Sequence, residues 1–302
     1  MANEYGNITT GDASRREDLA DIITNISPKE TPFVSGLPVK EAKDTLHQWE
    51  IDVLAAPASN AQIEGHVDAQ TLLVNPTRVI NVTQILRKDG MISGTQEAVV
   101  HAGFNSAMAY QVMKKTAEWK NDLEYAAILG TLGTGASGTA RTMKGALAMI
   151  TSVTTALSSA SLSETIYNSL LELAWSNFES NIDEVYVGGF LKRKISGFTA
   201  GATKNINSSD KRLVSNVDVY QGDYEIQKIF KTRTLNSTGA STATMMMIDS
   251  SKWALAYLRK PQYVKIPNDG GDRERFKIIG EVTIECQADG SNASATGLAN
   301  DA

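Results

Sequence analysis

Residues 96–129 limit what this chain can fold into more than any other stretch. They read QEAVVHAGFNSAMAYQVMKKTAEWKNDLEYAAIL, with no glycine after Gly103 and no proline. Val100, Phe104, Met108 and Val112 recur every four residues, and Trp119, Leu123 and Ala127 resume the row one position short. That drift is what a 3.6-residue period imposes on a helical apolar stripe. At 1.5 Å per residue such a helix is about 50 Å long, more than the diameter of a small domain. A single compact core cannot enclose it, so the other segments are expected to lie along it. The competing reading is an ordinary amphipathic helix of an α+β enzyme.

The flank before the helix is built of extended pieces. Residues 1–14 are polar and read as a loose arm. Ser14 and Glu17 stand at capping-box spacing, and Leu19, Ile22, Ile23 and Ile26 then form one apolar helix face that Pro28 stops. Pro28, Pro32, Gly36 and Pro38 make residues 28–45 extended chain crossing a surface. In residues 46–56, His47, Trp49, Ile51 and Val53 alternate with Gln48, Glu50 and Asp52, a period-two strand signal. Residues 77–88 are strand-like too, and a polar stretch from Pro57 to Pro76 joins the two. A long two-stranded hairpin is marginal alone in water, so it needs another surface, and a partner subunit is the natural candidate.

After the helix, Gly133, Gly135 and Gly138 satisfy the G-x-G-x-x-G spacing. Dinucleotide binding requires a strand before that motif, a helix after it and an acid about 20 residues on. Here a helix precedes it, and no Asp or Glu occurs between Thr139 and Ser163. The Lys-Ser/Thr pair of a P-loop is missing as well, which leaves a flexible loop closing the helix. Residues 141–160 read as mixed loop and short elements. Ser161 and Glu164 predict a capped helix to about Glu179, burying Ile166, Leu170, Leu173, Ala174 and Phe178. A short strand over residues 183–189 and a helix over 190–198 follow, the latter carrying Lys192, Arg193 and Lys194 on a solvated face. This order predicts an α/β subdomain over residues 161–240. Two strands in residues 211–235 and one in residues 243–248 come next, its methionines filling core. Asp249 is expected to cap a helix holding Trp253, Leu255, Ala256 and Leu258. Strands at 263–266 and 275–287 flank a turn at 268–271, and residues 288–302 read as a mobile tail.

Composition removes several function classes. The 302 residues carry a net charge of −5, and a sequence-independent nucleic-acid binder needs a basic patch to displace counterions. Any nucleic acid nearby would be enclosed or passed by rather than gripped. The single cysteine, Cys286, permits no intrachain disulfide and reads as a small buried hydrophobe. His47, His66 and His101 have no ligand spacing. No apolar run is long enough to span a membrane, and the N-terminus has no apolar signal region, so the chain reads as a cytosolic product. Asn81-Val82-Thr83 fits the glycosylation pattern but has no meaning without secretion. No catalytic, cofactor-binding or metal-ligating residue is nominated, because catalysis needs convergent groups and none is signalled. A binding or structural role is favoured.

With those elements in place, the chain resembles the major capsid (major head) proteins of tailed bacteriophages with the Hong Kong 97-type fold. The matching residues are Arg16-Glu17-Asp18-Leu19, Asp21-Ile22-Ile23, Ile26-Ser27-Pro28, Thr31-Pro32-Phe33, Trp49 and Asp52 with Leu54. Ala256-Tyr257-Leu258-Arg259, Gly280-Glu281 and Thr283 look like that family's closing segment. The resemblance implies an α+β fold with an N-terminal arm (1–45), an extended loop overlapping a neighbouring subunit (46–94) and a peripheral domain with a spine helix (95–160). An axial domain (161–242) follows, and residues 243–302 finish the sheets. It implies a virion protein made in the bacterial host's cytoplasm, assembling with itself into hexamers and pentamers around DNA. A separate scaffolding protein is expected, since the chain starts with only a short arm, and a portal and decoration protein are further implied partners. Ile22, Ile26, Trp49, Ile51, His66, Ile80 and Val82 are the expected contacts between copies. A nanocompartment shell of the same fold is the alternative, ahead of a soluble enzyme.

Overall fold

The computed structural model describes residues 30–65, 73–100, 106–198, 218–235, 242–267 and 270–300. The expected helix around Ile22 and Ile26, and His66, fall outside them.

The spine is shorter than its sequence pattern. Ser93 caps a brief helix α2 (Gly94–Ala98), Val99 turns to extended backbone at φ −79° and ψ 138°, and α3 runs over Ala107–Leu129. Its 23 residues span about 35 Å. The expected first member of the buried row, Val100, is exposed. Glu97 accounts for the break. Its carboxylate accepts from Ser106 Oγ at 2.7 Å and from the Met108 amide at 2.9 Å, while Ser106 Oγ caps Ala109 N at 3.1 Å. A carboxylate serving the orphan amides of α3 must come from outside that helix, so residues 96–129 cannot be one rod.

From Trp119 onward the periodic row is buried as expected: Trp119, Leu123 and Ala127 face a four-stranded sheet. Its order is β1 (Val39–Glu41), β10 (Trp253–Ile266), β11 (Arg273–Cys286) and β4 (Gln84–Ser93), antiparallel except for the β1–β10 pair. Trp119 is 4% exposed and its indole Nε1 donates to Leu86 O at 3.0 Å. Gly280 permits that approach, because a Cβ there would lie 2.8 Å from Trp119 Cζ2 and 3.1 Å from Pro261 Cα. Residues 38–41 are exposed extended chain as expected, but residues 31–37 are not a surface crossing. Pro32 opens a short helix α1 (Pro32–Gly36), where its missing N–H costs nothing, and Phe33, Val34 and Leu37 drop into the core. The buried Glu124 carboxylate of α3 accepts from the Phe33 and Val34 amides at 3.1 and 2.8 Å.

A mixed six-stranded sheet runs β5 (Thr154–Ala160), β12 (Ala293–Ala299), β9 (Thr242–Ile248), β6 (Glu184–Val187), β8 (Ile226–Lys231), β7 (Val219–Gln221). Helices α5 (Glu164–Asn177) and α6 (Gly189–Ser196) pack on one face of it. Strand β9 shows why its methionine run is core filler. Successive side chains alternate, so Met245 and Met247 enter the core under α5 and α6, and Met246 and Ile248 enter the core shared with α3.

Four further expectations are corrected. Asp249 caps only a 3-10 turn (Ser250–Lys252), and Trp253, Leu255, Ala256 and Leu258 belong to the strand β10. That strand's apolar start is buried between β1 and β11, so its side chains show no alternation to read. Residues 293–299 are not a tail but strand β12, held between β5 and β9 with Ala293, Ala295 and Leu298 buried. Ser163, not Ser161, caps α5, which buries Tyr167, Leu170, Leu171 and Ala174 and leaves Leu173 and Phe178 exposed. Lys192 does not join a solvated face. It is buried, with Nζ 3.1 Å from both Asp218 Oδ1 and Ile229 O.

Candidate assembly interface

The expected hairpin is present but shorter than expected, because residues 84–88 belong to β4 and pair with β11. β2 (Leu46–Ile51) pairs antiparallel with β3 (Thr77–Val82), from Leu46 opposite Val82 to Ile51 opposite Thr77. The alternation read from sequence holds: His47, Trp49 and Ile51 are half-buried while Gln48 and Glu50 are exposed.

At its root the hairpin is bound to β11 by polar groups the subunit has withdrawn from water. Asn81, fully buried, donates from Nδ2 to Lys144 O (3.1 Å) and Ile284 O (2.9 Å). Its Oδ1 accepts from Lys144 N (2.8 Å) and Val82 N (2.9 Å). The glycosylation match at Asn81 thus marks a buried structural amide. Glu281 gathers Arg141 Nη2 at 2.5 Å, Arg259 Nε at 3.0 Å and Thr83 Oγ1 at 2.8 Å. Glu285 gathers His47 Nε2 at 3.1 Å, Lys40 Nζ at 2.9 Å and Gln287 Nε2 at 2.9 Å. The hydrogen bond from His47 leads in lowering the Glu285 carboxyl to about 2, against burial, with Lys40 and Gln287 adding to it. Trp49 Nε1 donates to Cys286 O at 2.8 Å. Charge-assisted bonds of this kind are the stronger sort and fix the direction in which the hairpin leaves the body.

Beyond the root the chain has no regular structure in residues 52–65 and 73–76. Val53, Leu54, Ile63, Leu73 and Val74 are each at least 79% exposed. Scattered apolar residues on a surface are ordinary, but five on one extended loop form a surface that the subunit itself leaves uncovered.

The seven residues expected to touch a neighbour therefore divide. Val82 is 3% exposed and packs inside the subunit, which removes it as a contact; Trp49 is half-buried and committed to Cys286 O. Ile80, at 41% exposure, remains accessible, and Ile51 is half-buried. Ile22, Ile26 and His66 lie outside the described residues. From sequence, Asn81 was noted only as a glycosylation match and Glu281 only as part of the closing segment, and Glu285 was not noted. The available signal was a polar residue at an inward position of an alternating strand, between Val79 and the buried Thr83.

Two open clefts, of about 520 and 470 Å³, lie elsewhere. The first is lined by Thr31, Lys192 and Asp218, the second by Ile85, Gly135 and Arg141. Among the described residues no group of three His, Cys, Asp or Glu could hold a metal ion. Burial, with small offsets, pushes the Cys286 thiol up to about 12, so it is inert as a nucleophile.

A profile described as SU10 major capsid protein matches residues 4–299 of this chain. The major capsid protein of Escherichia phage Phieco32 is 35% identical over 126 residues, which is 41% of this chain and 36% of that relative. The chain thus aligns with about a third of that relative's length. Among solved structures, the Cyanophage A-1(L) capsid asymmetric unit superposes with TM-score 0.69 at 9% identity, covering 94% of this chain and 97% of that one. The SrpI encapsulin of Synechococcus elongatus superposes with TM-score 0.59 at 8% identity, covering 96% and 94%. At such identities the two superpositions speak to fold alone.

Proposed function

The chain belongs to the SU10 major capsid protein family, and from this we propose that it builds the head of a tailed bacteriophage. Copies of it form hexamers and pentamers of an icosahedral shell that encloses double-stranded DNA, and the protein ends up in the virion. Shells need many modest contacts that close by symmetry rather than one tight site. The observation that carries the reading beyond family membership is the extended loop, whose five exposed apolar side chains stand on a root bound by Asn81, Glu281 and Glu285.

In this reading residues 46–94 include the loop that lies over a neighbour, residues 95–160 the peripheral unit with α3, and residues 161–242 the axial unit with α5 and α6. Residues 243–302 complete both sheets. A scaffolding protein, a portal and a decoration protein are proposed as further partners. The encapsulin superposition favours a second reading, a nanocompartment shell, at the level of fold. A portal or terminase gene beside this one would decide for the phage head.

Electron microscopy of the purified protein, alone and with a co-expressed scaffolding protein, tests the proposal. Capsomers or closed particles are expected. A chain that stays monomeric under both conditions overturns it.

A further inference from the structure

One aromatic group lies far from the hairpin and is unused by it. Trp175, on the outer side of α5, is 62% exposed. Its ring centroid is 5.9 Å from that of Tyr224, in the turn joining β7 to β8. Tryptophan buries more apolar area than any other side chain, and a majority-exposed indole beside a second ring is the composition of an interface hot spot. Carboxylates surround it. Glu172 lies one turn back on the same helix face, and Asp223 and Glu225 flank Tyr224. Partial desolvation, then the charges of Glu172 and Asp223, raise the Tyr224 hydroxyl above its usual range, which places Glu172 beside that ring.

The same unit carries the opposite charge on α6. Arg193 and Lys194 both lie over the Phe190 ring, at 5.2 and 5.3 Å from its centroid. Among the described residues, no ion pair joins either cation to a carboxylate. The two groups are separate within the subunit. Phe198, just past the end of α6, packs on Tyr167 near the start of α5, and Trp175 lies eight residues, about 12 Å, further along. One chain thus presents an aromatic patch with an acidic rim and a basic patch, Arg193 and Lys194, laid over the half-buried Phe190.

We infer that the Trp175–Tyr224 patch of one copy docks on the Phe190–Arg193–Lys194 patch of the next. A head-to-tail contact between two different patches generates a ring when its rotation closes, which is the geometry of a capsomer. The inference rests on the proposed shell function and names residues that would close its rings. The complementary charges set register and suppress wrong pairings, and the Trp175–Tyr224 rings supply buried area.

The test is assembly of full-length variants, scored by sedimentation and negative-stain microscopy, with circular-dichroism melting of each subunit as the folding control. Trp175→Ala is expected to reduce assembled material at least tenfold with little change in melting. Glu172→Lys with Asp223→Lys should do the same, and this exposed pair keeps the test decisive if Trp175→Ala fails to fold. Arg193→Glu with Lys194→Glu should also block assembly, and all four reversals together should restore it. Wild-type assembly by either folded patch variant overturns the inference alone, as does failure of the combined variant to recover. A wild-type chain that never assembles overturns the shell function together with it.

Discussion

Glu285 has one carboxylate and three donors converging on it from β1, β2 and the bend that follows its own strand. Those donors favour the charged form, so its carboxyl lies at about 2 instead of 4.5. A depressed folded value means that the stability it contributes is fully present above about pH 4.5 and is lost as pH falls toward 2. Glu285→Gln should cost about 1.5–3 kcal/mol at pH 7, as loss of charged hydrogen bonds does. It should also flatten the dependence of stability on pH across that window, read by urea denaturation of the unassembled subunit at a series of pH values. Glu124 runs the other way. Burial first raises its carboxyl, while the Val34 and Phe33 amides oppose the rise. Its contribution is therefore fullest in acid and declines as pH climbs through the raised value. Trp119 contributes by packing. Trp119→Ala removes a buried indole and its bond to Leu86 O, and should destabilise the subunit by about 3–5 kcal/mol in the same assay.

At the scale of elements, the loop and the last strand predict opposite outcomes. Residues 57–76 contribute nothing to either hydrophobic core among the described residues. Deleting them should leave subunit melting nearly unchanged and abolish particles, as seen by sedimentation. Removing residues 293–302 should instead prevent soluble folding, because β12 pairs on both sides and buries Ala293, Ala295 and Leu298. The difference also explains what could be read from sequence. The hairpin was legible because one of its faces is exposed and period two survives. The start of β10 was not, because Trp253, Ala254, Leu255 and Ala256 are all buried and Trp253, Leu255, Ala256 and Leu258 suit a helix as well as a strand. Strand β12, ASATGLA, has the composition of a tail; only its pairing with Thr154–Ala160, some 140 positions away, makes it a strand. The root of the hairpin was hidden for a related reason. Asn81 and Glu285 acquire their roles through partners that local pattern does not contain. The helix pattern over residues 96–129 was legible in its second half and misleading in its first, where Glu97 serves as a cap from outside.

For the whole molecule, the charge balance and the two-core arrangement set how it behaves in bulk. A subunit with net charge −5 has no electrostatic reason to hold DNA, since affinity for the phosphate backbone comes from counterions displaced by clustered cations. Purified subunits should give no mobility shift with double-stranded DNA at about physiological salt, where exposed charges are screened beyond ~8 Å. The two cores share strand β9, whose alternate residues belong to one or the other. Neither can be lost without exposing half of that strand, so the subunit should melt as one unit.

Strand β12 has a consequence in time. It follows every other described strand in the chain, yet it sits inside the six-stranded sheet, with β5 on one side and β9 on the other. On a ribosome, β5 emerges long before the strand that must bridge it to the rest, and pairings between distant residues form slowly. A chain interrupted anywhere before residue 293 has an unfinished sheet. Emergence of β12, rather than concentration, therefore sets the earliest moment at which a copy can join the proposed shell, and copies lacking it are kept out without a separate inspection step.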